Sequence, residues 1–116
     1  MEVPDFKYTV DGRIWVNVNN QSYIGKGKII LLEKIKELGS LRKAAIELKM
    51  SYRQAWYSIN QINTFSKTPV VILKRGGKDG GIAIITEQGE DIIKTFNQLQ
   101  KDFFEYLNNK NNQILF

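Results

Sequence analysis

The stretch from Gly39 to Trp56 constrains the fold of this chain more than any other segment. Leu41, Ala44, Ala45 and Leu48 fall at i, i+3, i+4 and i+7, which is one apolar stripe on a helix of about two turns. Ser40 stands where an N-cap belongs, and Ser51 stands at the same point for a second helix. Only Lys49 and Met50 separate the two patterns, so the connection must be a tight turn. In the second helix Ala55, Ile59 and Ile62 form the apolar stripe, which leaves Tyr52, Arg53, Gln54, Tyr57 and Asn60 on other faces. The small pair Ala44-Ala45 allows two helices to approach at a steep angle. That is the geometry of a helix-turn-helix, and equally of an ordinary αα-corner.

Charge separates these readings. The chain of 116 residues carries a formal +5. Between Lys26 and Arg53 there are eight basic residues (Lys26, Lys28, Lys34, Lys36, Arg42, Lys43, Lys49 and Arg53) against Glu33, Glu37 and Glu47, so this segment carries the whole excess. A basic footprint over two capped helices suits contact with phosphates, whose released counterions supply most of the affinity for nucleic acid. Cysteine and histidine are both absent, and no nucleophile or phosphate-loop motif is present. Thiol and imidazole chemistry and zinc-finger ligation are thereby excluded; no enzymatic activity and no cofactor are expected. No apolar run approaches the ~18 residues of a membrane span, and the N-terminus lacks a signal-peptide core, so a cytoplasmic protein without membrane partners is expected.

The flanking segments complete a fold. Phe6–Val10 and Arg13–Val18 are β-branched and aromatic runs around Asp11-Gly12, which predicts a hairpin turning there. Asn19 to Ser22 reads as a loop or second turn, with Ser22 to Ile24 extended. Leu31, Leu32, Ile35 and Leu38 make a first helix that stops at Gly39. Pro69 ends the helical region, and Val70–Leu73 and Ile82–Ile85 read as two strands around Lys74-Arg75-Gly76-Gly77-Lys78-Asp79-Gly80-Gly81. A basic glycine loop between strands predicts a wing. A nucleotide-binding loop is disfavoured because a strand, not a helix N-terminus, follows the glycines. Thr86 caps a last helix reaching about Asn108. Its apolar residues Ile92, Ile93, Phe96, Leu99, Phe103, Phe104 and Leu107 form a stripe wider than one small core covers, predicting a homodimer with this helix at the interface.

The order of elements and several local patterns carry a family resemblance. Gly25-x-Gly27-Lys28-x-x-Leu31-Leu32-x-x-Ile35, Gly39-Ser-Leu-x-x-Ala-Ala45, Met50-Ser-Tyr-Arg-x-Ala-Trp56, Gly76-Gly-x-x-Gly-Gly81 and Thr86-x-x-Gly89 closely resemble the N-terminal domain of the molybdate-responsive transcription regulators, the ModE family. The likeness covers nearly the whole chain, and Met50 to Trp56 is its most specific part. Lys26 departs from a common proline and Ile62 from a methionine. The resemblance implies a LysR-like winged helix-turn-helix that dimerises through its first and last helices and binds a palindromic operator in double-stranded DNA. The family's full-length members continue into oxyanion-binding domains. This chain stops after the last helix and so has no evident molybdate sensor; a stand-alone regulator and a piece of a longer protein both fit.

The expected class is therefore α+β and mainly helical. It comprises a hairpin extension at 1–25, a winged helix-turn-helix at 26–85, a dimerisation helix at 86–110 and a polar tail at 111–116. Candidate DNA-binding residues are Ser40, Arg42, Lys43, Ser51, Tyr52, Arg53, Gln54, Tyr57, Asn60, Arg75, Gly76, Gly77 and Lys78. Arg53 suits guanine or phosphate, and Gln54 or Asn60 suits adenine. Trp56 has two readings, core packing and readout; its place beside Ala55 favours packing. The alternative function is a winged-helix adaptor that binds protein and no longer binds DNA.

Overall fold

The computed structural model describes residues 4–75 and 81–116. The expected loop residues Gly76, Gly77 and Lys78 lie outside them. Among the described residues the order is β1 (Trp15–Val18), β2 (Gln21–Gly25), α1 (Lys26–Leu38), α2 (Leu41–Glu47), α3 (Tyr52–Thr64), β3 (Val71–Lys74), β4 (Ile82–Ile85) and α4 (Glu87–Asn111). The strands form two separate antiparallel pairs, β1 with β2 and β3 with β4. Four helices with two small sheets in this order are compatible with a winged-helix-like fold.

One core joins these elements. Leu31, Leu32 and Ile35 of α1, Leu41, Ala44 and Ala45 of α2, and Ala55, Ile59 and Ile62 of α3 are all buried, each stripe falling where its helical period predicts. Val70, Val71 and Ala83 close one side, and Ile24, Ile93 and Phe96 close another. Gly39 ends α1 in the left-handed region at φ 65°, donating its N–H to Ile35 O at 2.8 Å. Its carbonyl accepts the Ala83 N–H at 3.0 Å, which ties β4 to the corner between α1 and α2. Gly89 is required for a different reason. A Cβ there would lie 2.7 Å from both Val70 O and Ile85 Cγ2, so only glycine lets the first turn of α4 settle on β4 and the residue leading into β3.

The leading hairpin is not the expected one. The turn is Asn19-Asn20, with φ of 48° and 65°, and Val18 pairs with Gln21 across a two-residue loop. Asparagine tolerates these left-handed angles, and two such residues in succession suit the twist of a hairpin. A bulge at Val16/Asn17 shifts the register, leaving Ile24 in the core and Tyr23 against the end of α3. There the Tyr23 hydroxyl bonds Ser66 Oγ and donates to Ile62 O at 3.3 Å. Asp11-Gly12 serves another purpose. The Asp11 carboxylate accepts the Gly12 N–H at 2.8 Å, Gly12 lies against the Phe103 ring, and Val10 N–H donates to Asn111 Oδ1 at 2.7 Å. The stretch from Val10 to Gly12 is thus held along the last helix instead of pairing in a sheet.

That helix outruns the core. Its first half buries Ile93 and Phe96, whereas its second half carries exposed Leu99, Phe104 and Tyr106. The chain measures 70 × 32 × 21 Å with a radius of gyration of 18.7 Å. A compact domain of this length would have a radius near 13 Å.

Candidate nucleic-acid interface

The turn between α2 and α3 is built from backbone bonds that the sequence only partly signals. Met50 N–H reaches Ala45 O at 3.0 Å and Lys49 N–H reaches Ile46 O at 3.1 Å. This is the Schellman pattern, in which the residue after the helix cap takes the left-handed region. Here that residue is Lys49, at φ 56°. Ser40 caps α2 by accepting the Lys43 N–H at 3.1 Å, and Ser51 caps α3 by accepting the Gln54 N–H at 3.0 Å. Gln54 returns the bond, its Oε1 accepting the Ser51 N–H at 3.2 Å, so a full capping box fixes the start of α3.

These local bonds sort the candidate residues. Ser40 is buried, with its hydroxyl committed to the cap. Ser51 and Gln54 are exposed but bonded to each other's backbone. Arg53, Tyr57 and Asn60 are exposed and lie on the side of α3 opposite its buried stripe. Tyr52 is exposed at the first turn of α3 and lines a small cleft with Arg42, Lys74 and Gly81. The base of the loop between β3 and β4 therefore sits beside the N-termini of α2 and α3. Lys43 and Arg75 are exposed as well.

Trp56 corrects the packing expectation, for its side chain is 45% exposed. The helical period explains this. One residue advances about 100°, so Trp56 is turned well away from the direction of Ala55 and lies on the flank between Tyr52 and Asn60.

The basic footprint is narrower than the sequence suggests. Lys34 bridges Glu47 at 2.7 Å and Glu37 at 3.1 Å, and Lys36 bridges Glu90 at 2.8 Å. The hydrogen bonds from Glu47 and Glu37 hold the Lys34 ammonium above its usual pKa. Lys28 donates to Tyr23 O at 2.8 Å, and burial pushes its pKa down. Arg42, Lys49 and Arg53 form no ion pair among the described residues. Of the basic residues between Lys26 and Arg53, those exposed without an ion pair among the described residues thus include Arg42 on α2, Lys49 at the turn and Arg53 at the start of α3, together with Lys26 at the start of α1.

Asn63, which the sequence pattern did not single out, and Thr86, expected only as a helix cap, join α3 and α4 to the β3 segment. Asn63 accepts the Val70 and Val71 N–H groups at 2.8 and 3.1 Å and donates to Val71 O at 2.9 Å. Thr86 donates to Pro69 O at 2.7 Å while capping α4 through the Gly89 N–H at 3.1 Å. A lone asparagine late in a polar helix face gave no signal of such a role; the serine and threonine caps did.

A helix-turn-helix corner with exposed basic residues, joined to a small two-stranded sheet, is compatible with the class of winged-helix-like domains. Comparison with known proteins then gives the family. The chain is 35% identical over 83 residues to the DNA-binding transcriptional dual regulator ModE of Escherichia coli K12, covering 69% of this chain and 32% of that protein. It is 39% identical over 72 residues to the transcriptional regulator ModE of Yersinia pestis, 62% of this chain and 27% of that one. It is also 35% identical over 77 residues to the molybdenum-pterin-binding protein MopB of Rhodobacter capsulatus, 66% of this chain and 28% of MopB. No protein-family model matches the chain. The chain belongs to the ModE family, as a counterpart of its N-terminal domain, and spans about a third of the length of these relatives.

Proposed function

We propose that this protein is a homodimeric regulator that binds a palindromic operator in double-stranded DNA, with α3 in the major groove. The observation that carries this reading is the exposed face of α3. Arg53, Tyr57 and Asn60 lie opposite the buried stripe, and Arg42 on α2 and Lys49 in the turn before α3 form no ion pair among the described residues. In this reading β3 and β4 carry a wing, with Arg75 and Lys78 on backbone or minor groove. Gln54 serves chiefly to frame α3, because its carbonyl oxygen is engaged by Ser51. Arg53 is the principal base or phosphate contact, and Asn60 the candidate for adenine.

The dimer reading is supported by the second half of α4. Ile93, Phe96 and Leu107 are already buried within the chain, so they are not the surface offered to a partner. Leu99 and Phe104 are exposed at 46% and 40%, with Phe103 half-buried beside them, and these would meet a second copy. The segment from Thr86 to Lys110 carries a net −2, which keeps it from DNA.

Selection of bound fragments from random duplex tests both readings at once, since a dimer returns two inverted half-sites at a spacing set by one helical turn. Arg53→Ala should weaken the selected duplex by about 1–3 kcal/mol. Failure to bind any duplex at low salt would remove the reading and leave a protein-binding adaptor.

A further inference from the structure

Trp56 is the largest exposed side chain on α3, and nothing in the fold explains its exposure. The core beneath the helix is closed by Ala55, Ile59 and Ile62, each at most 2% exposed, so Trp56 contributes little to it. Its place is one turn after Tyr52, three residues after Arg53 and one turn before Asn60, on the flank next to the polar face. Indole offers a broad apolar face and one N–H donor, with no acceptor. It therefore cannot make the paired donor and acceptor contact by which glutamine or asparagine reads adenine. What it can do in a major groove is exclude water from an apolar group, and the C5-methyl of thymine is the apolar group displayed there.

We propose that Trp56 is a base-reading residue whose indole covers a thymine methyl group in each half-site. The proposal rests on the DNA-binding reading given above. It also accounts for the exposure of a large aromatic side chain in the middle of α3.

The test uses the full chain, the selected duplex and a generic duplex, with each thymine of the half-site replaced in turn by deoxyuridine, which lacks only the methyl. Wild-type protein should lose about three- to fivefold in affinity per covered methyl at one thymine of each half-site. Trp56→Ala should bind the selected duplex about tenfold more weakly, keep its affinity and salt dependence on the generic duplex, and no longer respond to deoxyuridine. Trp56→Gln, which places a polar helix former at the site, should likewise no longer respond to deoxyuridine and guards against a folding defect in the alanine variant. In a Trp15→Phe background Trp56 is the sole tryptophan, and selected duplex should shield its fluorescence from acrylamide. The proposal is overturned if no thymine is sensitive, if the deoxyuridine penalty persists in both Trp56 variants, or if both duplexes weaken equally. Absence of any duplex binding by the wild-type protein would instead sink the DNA-binding reading itself.

Discussion

Asn63→Ala isolates the joint between α3 and the β3–β4 sheet. The side chain satisfies three backbone groups, the N–H of Val70, the N–H of Val71 and the carbonyl of Val71, at 2.8, 3.1 and 2.9 Å. Val70 is 0% and Val71 2% exposed, so water has poor access to the groups released. A buried donor or acceptor left without a partner costs about 1–3 kcal/mol. Because β4 pairs with Val71 and partial relaxation admits some solvent, the three losses will not add fully. A net cost of about 2–4 kcal/mol follows. A domain of this size has about 6–17 kcal/mol in total, so the variant should still fold. Urea denaturation should show a lower midpoint at unchanged slope, and amide exchange should accelerate first at Val70 and Val71. Asn63→Asp is the informative companion. It keeps Oδ1 as acceptor for both N–H groups but sets a carboxylate oxygen against Val71 O in place of the donor, so it should lose stability and still retain more of the protection at those two amides than alanine does. A cost below about 0.5 kcal/mol for Asn63→Ala, typical of a surface change, would mean that the asparagine is not a structural staple.

Three further variants probe separate features of the molecule. Lys49→Gly removes the left-handed penalty at φ 56° and should raise stability by about 0.5–1 kcal/mol while reducing the salt dependence of duplex binding; a drop in stability would count against the turn geometry. Gly89→Ala places a methyl 2.7 Å from the Val70 carbonyl, and despite alanine's better helix propensity it should destabilise by about 1–3 kcal/mol in thermal melts. Leu99→Glu combined with Phe104→Glu should leave helical circular dichroism intact and shift sedimentation to the monomer, whereas a persisting dimer would move the interface elsewhere.

How much of this was legible in the sequence depended on how local each cause is. Ser40, Ser51, Thr86 and Gly39 act within one helical turn, and all four cap or stop the helices where the sequence puts them. The leading hairpin was misplaced because two turn signals, Asp11-Gly12 and Asn19-Asn20, stand eight residues apart with β-branched runs around both. The choice between them is made by distant residues: Ile24 enters the core, while Phe103 and Asn111 hold the stretch that the other hairpin would need. Charge shows the same limit. Counting residues assigns the entire +5 to one segment, yet Glu90, more than fifty positions along the chain from Lys36, neutralises part of it.

Trp56 is the reverse case, since the period that identified Ala55, Ile59 and Ile62 already excludes it from their stripe. Adjacency to a buried alanine implies nothing about the next side chain on a helix, which points about 100° away. The same arithmetic brings Arg53, Tyr57 and Asn60 to one side and leaves Gln54 on the other, where it closes the capping box. The capping contact and the proposed reading residues are thus made from different faces of one thirteen-residue helix. Asn63, on the Trp56 flank, then fixes the angle of the neighbouring sheet, so the Lys74 and Gly81 ends of its loop stand beside Tyr52 and Arg42. A substitution at Asn63 should therefore disturb the placement of both proposed contact elements, although its own side chain is engaged with β3 and the chain segment leading into it.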